Sequence, residues 1–130
     1  MDLSINTSYL GTCYVSKFNR WNRIDFPLEF KESFYRRTET SGDRDLSCVL
    51  EGDGNYDFIT LFDPLTNKKG LSTNFDDIKN AGIVNKKKTK LRFPRGIRLN
   101  GECLAFLGCG DHFEIWAKED WEEIQKSLKS

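Results

Sequence analysis

The chain has one histidine, three prolines and no apolar run longer than residues 103–107. So short a run cannot cross a bilayer, which takes about 20 residues in a helix, so no membrane partner is expected. Asp2 stands where a secretory leader carries basic charge, and no apolar stretch follows it. The protein therefore reads as cytoplasmic. Cys13, Cys48, Cys103 and Cys109 form no CxxC pair, which suits reduced, mostly buried thiols rather than a disulfide framework. Zinc sites pair their ligands at short spacing, and His112 has no helical histidine or cysteine partner, so no metal or other cofactor is expected. There is no phosphate-binding glycine loop, nucleophile elbow or metal-binding helix motif. Asp111–His112 lacks a nucleophile and a third orienting group and reads as a turn, so the chain is not expected to be an enzyme.

What is present is a charged, aromatic-rich composition: 31% charged residues, with 10 Phe and 3 Trp among 130. That describes a globular chain forming one compact domain, or two small halves around a shared core. Net charge is +0, yet the distribution is uneven. Residues 83–100 carry seven basic side chains and no acid, while acids gather at 43–63 and 111–123. Such clustering sets up a local positive potential even when the sum vanishes.

Residues 83–116 organise the reading. An apolar pair, Ile83–Val84, leads into Lys86, Lys87, Lys88, Thr89 and Lys90, then a strand-like Leu91-Arg92-Phe93-Pro94. A turn at Asn100–Gly101 precedes residues 103–107, and Asp111-His112-Phe113-Glu114-Ile115-Trp116 closes the stretch. The pattern predicts two β-hairpins with the lysines at the first tip. A weaker copy runs Tyr14–Val15, Asn19-Arg20-Trp21-Asn22-Arg23, then Ile24-Asp25-Phe26-Pro27. Aligning Pro27 with Pro94 sets Arg23 over Lys90, Ile24 over Leu91 and Phe26 over Phe93. One β unit is stated twice, in halves at about 9–66 and 78–130.

In chain order, strands are expected at 9–18 and 24–26, then a short helix at 28–35 with Phe30 and Phe34 one turn apart. Strands at 46–50 and 56–62 flank the Gly/Asp/Asn turn 51–55. That turn fails as a calcium loop, because Phe58 and Pro64 fall where the glycine and the bidentate glutamate belong. Residues 64–80 read as the linker, with one or two helical turns near 74–78, and 96–99 leave room for one more. Phe113, Ile115, Trp116 and Trp121 read as core. Residues 118–129 form a helix with Trp121, Ile124 and Leu128 on one stripe.

The run Tyr9-Leu10-Gly11-Thr12, then Asn22-Arg23-Ile24-Asp25-Phe26-Pro27 and Glu29-Phe30-Lys31-Glu32, resembles the opening of MraZ proteins. Leu107–Gly108 and residues 112–116, followed by a helix bearing Trp121, are similar to the MraZ end. The resemblance covers most of the chain and implies a mainly β (α+β) fold. This would be a duplicated AbrB-like swapped-hairpin β-barrel with short helices and a C-terminal helix. It also implies a transcriptional regulator that binds double-stranded DNA through its hairpin tips as a homo-oligomer. The departures fall on the tips: Asn19 and Lys86 stand at the family's acid, and Thr89 and Lys90 at the second Gly-Arg. The implied contacts are Arg20, Arg23, Lys86, Lys87, Lys88, Lys90 and Arg92, with Arg23 on the family's tip arginine. Phosphate neutralisation suits the lysines and guanine recognition the arginines. Two alternatives stand beside this. The lysines can be solvated guards of a strand edge on a structural or protein-interaction module. An AbrB-like antitoxin would need a disordered tail, where this chain carries a helix.

Overall fold

In a computed structural model, the described residues are 8–40, 45–52, 54–66, 70–75 and 89–129. They form, in order, β1 (Tyr9–Ser16), β2 (Arg23–Phe26), α1 (Leu28–Thr38), β3 (Leu46–Gly52) and β4 (Asp57–Phe62). Then follow β5 (Leu71–Phe75), β6 (Thr89–Arg92), β7 (Cys103–Gly110), β8 (His112–Ala117) and α2 (Lys118–Lys129). The architecture is mainly β, with the strands in the sheet order β1-β7-β8-β4-β3-β5-β6-β2. Every pairing is antiparallel. Among the described residues no helix is long and apolar enough to cross a membrane.

Alternation along the strands divides the side chains between two faces. Leu104 and Phe106 of β7, Phe113 and Ile115 of β8, and Ile59 and Leu61 of β4 point into one core. α1 presses Phe30 and Phe34 onto it from the i,i+4 stripe the sequence predicted. Phe113 lies within 5.1–5.6 Å, centroid to centroid, of Phe26, Phe30 and Phe106. These tilted and edge-on contacts are the geometry that aromatic quadrupoles favour. On the opposite face Ala105, Leu107 and Trp116 make a smaller cluster, covered by Trp121 and Ile124 of α2. Phe58 stacks on Trp116 at 4.5 Å and 3°.

A buried polar knot ties α1 to the sheet. The Tyr9 hydroxyl donates to Asp63 Oδ2 at 2.8 Å, Arg37 Nε donates to the same oxygen at 2.6 Å, and Leu65 N–H donates to Oδ1 at 3.0 Å. Burial, then the neighbouring Asp63 charge, drives the Tyr9 hydroxyl far above its usual range. The Cys13 thiol, which donates to Glu29 at 2.8 Å, is pushed up to about 12 by burial and then by Glu29. Cys48 is raised by burial. All three groups keep their protons in the folded state at a pH where the unfolded chain loses them. Their stabilisation is therefore complete below the ordinary thiol value of 9.0, drains as pH rises above it, and is gone once pH has passed the folded values. Denaturant unfolding, in reductant, is expected to show stability falling by on the order of 1–3 kcal/mol between about pH 8 and about pH 10.5, after discounting the half-exposed Cys13. A flat profile over that window would contradict the assignment.

The structure departs from the sequence reading in several places. β1 and β2 end the strand order without pairing to each other, so the expected barrel is not closed among the described residues. Residues 64–80 are not a plain linker, because β5 lies within them and pairs with both β3 and β6. Asn74 and Phe75, expected in a helical turn, belong to that strand. Residues 96–99 hold no helix: Ile97 N–H bonds Pro94 O at 3.1 Å, and Gly96 sits at φ 94°. That is a type II turn, whose third position takes a glycine. β6 pairs with β2 and β5, and the Ile83–Val84 segment expected to partner it lies outside the described residues. Leu128 is 79% exposed rather than part of the α2 stripe.

Candidate nucleic-acid interface

Two loops meet beside the β2–β6 ribbon. The first, between β1 and β2, is shaped by Asn19, whose Oδ1 accepts from Trp21 N–H at 2.9 Å and Arg23 N–H at 3.0 Å. Asparagine favours such turns because its side chain can copy a backbone acceptor. The second is the turn at 94–97. Asn22 locks the two together: Nδ2 contacts the carbonyl oxygens of Phe93, Pro94 and Ile97 at 3.2, 2.9 and 2.9 Å. Asn22 does this from φ 62°, a left-handed conformation that Asn tolerates better than most residues. Its own carbonyl accepts Phe93 N–H at 3.0 Å.

This clamp gathers charge. Arg20, Trp21, Asn22, Arg92, Phe93, Arg95, Gly96 and Arg98 line a groove of about 390 Å³, with no acid among the described residues that line it. Arg20 lies 4.1 Å over the exposed Trp21 ring, and Arg23 lies 6.0 Å from it. Stacking of this kind keeps a guanidinium plane presented at modest entropic cost. Arg98 donates to the carbonyls of Asn19 and Phe18 at 3.2 and 3.3 Å, bracing the first loop from the second. Arg23 and Arg92 stand directly opposite each other in the β2–β6 register.

Of the residues expected from sequence, Arg20, Arg23 and Arg92 come together here. Lys90 sits two rungs further and holds Asp25 at 2.7 Å, so its charge is engaged within the sheet. Lys86, Lys87 and Lys88 lie outside the described residues. Arg95 and Arg98 were not singled out. Their signal was the spacing Arg92, Arg95, Arg98 around a Pro-Arg-Gly turn, which a search for contiguous lysines passes over. The chain matches no family model and no curated protein.

Proposed function

We propose that the chain is a DNA-binding transcriptional regulator of the MraZ type, acting as a binding protein rather than an enzyme. The observation that carries this is the convergence of Arg20, Arg92, Arg95 and Arg98 on one groove, held by a loop-to-loop clamp and lined by no acid among the described residues. Guanidinium forks match phosphate oxygens in pairs, and a row of them neutralises successive phosphates of a duplex. Lys86, Lys87 and Lys88 precede β6 in the chain and add to the same basic stretch.

The duplicated swapped-hairpin barrel belongs to this proposal, and the strand order supports it. Exchanging β1 with β5, β2 with β6, β3 with β7 and β4 with β8 carries every observed pairing except β5–β6 onto an observed pairing. The exception maps onto β1 and β2, the two ends of the order. Ile24 and Leu91, matched by their prolines in sequence, are also direct partners in the register. That is what a local two-fold axis produces. A homo-oligomer is part of the same reading: β1 ends the order, and its Leu10 and Tyr14 are 75% and 51% exposed. Light scattering at tens of micromolar should give at least a dimer; a monomer would remove this part.

Duplex binding across a salt series tests the reading. Arg20→Ala, Arg92→Ala and Arg95→Ala should each weaken binding to all sequences and lower the salt slope by about one per lost contact. Arg23→Ala should instead narrow the gap between own-promoter and random duplex, by about 1–3 kcal/mol if it forks to guanine. No duplex binding by the unmutated chain at low salt would end the DNA reading in favour of an interaction module.

A further inference from the structure

At the other end of β7, away from the arginine groove, the β7–β8 hairpin closes through Gly110 and Asp111. Gly110 takes φ 89°, which a two-residue hairpin turn demands and a side chain would strain. So short a turn sets the flanking residues, Cys109 and His112, opposite each other on one face, and Glu114 follows on that face two residues later. The Cys109 thiol, a His112 ring nitrogen and a Glu114 carboxylate oxygen all lie within 4.8 Å of one another. We propose that this trio binds a divalent transition-metal ion, zinc by its donor set, through three protein ligands with one position left for water.

Two of the three donors, His112 and Glu114, are oriented from behind. His112 Nδ1 lies 2.7 Å from Asp111 Oδ1, an acceptor, so in the neutral ring that nitrogen carries the hydrogen and Nε2 offers its lone pair. A carboxylate holding the far side of a ligand histidine is the usual support of a zinc site. Nε2 in turn faces Glu114 Oε2 at 3.7 Å. The Trp116 indole N–H donates to the other Glu114 oxygen at 3.0 Å, fixing the carboxylate plane. Two acceptors thus point at each other beside a thiol, an arrangement that a cation completes.

A second observation lies on the neighbouring strand. Thr60, 4% exposed, is the register partner of Glu114, and its Oγ1 has no hydrogen-bond partner among the described residues. It offers a polar atom on the same face for a metal-bound water. The His112 and Glu114 side chains are 27% and 28% exposed, so an ion can reach them from solvent. Thiolate with imidazole and carboxylate selects zinc over magnesium or calcium, which take oxygen alone. Bonds of about 2.0–2.3 Å place tetrahedral ligands roughly 3.5 Å apart, so the side chains must close by about an ångström. The competing account is a protonated His112 bridging the Asp111 and Glu114 carboxylates, which needs no thiol.

The test uses the full chain, stripped with a chelator, kept in a non-thiol reductant and titrated with cobalt(II). One equivalent should bind with a thiolate-to-cobalt charge-transfer band and the intense visible bands of a four-coordinate ion, and zinc should displace it. Cys109→Ser should abolish the charge-transfer band, and Asp111→Asn should weaken binding by about 10–100-fold. Glu114→Gln, which keeps an acceptor for Trp116, should weaken it while leaving the melting temperature of the metal-free protein in place. Cys103→Ser, on the same strand, should change nothing. Zinc should also raise the melting temperature of the unmutated chain and not that of Cys109→Ser. The proposal is overturned by an unmutated chain without a saturable band, or by a band that survives Cys109→Ser.

Discussion

Asp63→Ala should lower stability by about 3–5 kcal/mol, the range for stranding one member of a buried ion pair. The Asp63 side chain is fully buried and accepts from Tyr9, Arg37 and Leu65 N–H. Removing it strips the Tyr9 hydroxyl and Leu65 N–H of their acceptor and takes from Arg37 the buried carboxylate it holds at 2.6 Å. For a domain of this size the fall in melting temperature is on the order of 10–20 °C. Asp63→Asn keeps one carbonyl oxygen for these donors and should lose less. Calorimetry or denaturant unfolding would decide it, and an alanine variant within about 1 kcal/mol of the parent would show the knot to be incidental.

Asn22 should be the position where stability and duplex binding fail together. Asn22→Ala deletes the contacts to three carbonyls and leaves at φ 62° a residue that tolerates the left-handed region less well than asparagine, for a combined cost of about 2–4 kcal/mol. Asn22→Gly accepts the backbone angle but still loses the clamp, so it isolates the hydrogen-bond part. Asn22→Asp keeps the shape yet aims a carboxylate at three carbonyl oxygens and puts an acid into the arginine groove. It should be the worst of the three. Duplex affinity should fall by about tenfold even at temperatures where Asn22→Gly is fully folded, because the two loops no longer hold Arg20 beside Arg95 and Arg98. Full-strength binding by Asn22→Gly would show that the clamp does not organise the groove.

The elements with a strong local pattern were legible in the chain. β-favouring residues between turn signals marked β1, β4, β7 and β8, and the Phe30–Phe34 step marked α1. The turn at 51–55 and the stripe of Trp121 and Ile124 marked the β3–β4 hairpin and α2. β5 was not legible, since Leu-Ser-Thr-Asn-Phe is short and polar, with Leu71 exposed and Thr73 buried. It is a strand because β3 and β6, distant in sequence, supply its hydrogen bonds. Arg20, Arg23 and Arg92 could be singled out by type and neighbours. Their partners Arg95 and Arg98 could not, because nothing local says that a turn after Pro94 will fold back onto Asn22. That Cys109 and His112 face each other was not legible for a related reason. Ligand spacing was judged on a helix, whereas a two-residue hairpin turn makes residues three apart face each other.

By itself, then, the sequence determined which segments extend, which coil and where positive charge concentrates. These follow from how each side chain meets water or core within one turn of its neighbours. Only the tertiary structure decided that β1 pairs with β7 and β2 with β6, and that Lys90 engages Asp25. It also decided that four arginines, from two loops and the end of β6, share one groove. Backbone hydrogen bonds are the same for every residue, so a strand's partner is chosen by packing across the whole core, which no local window contains.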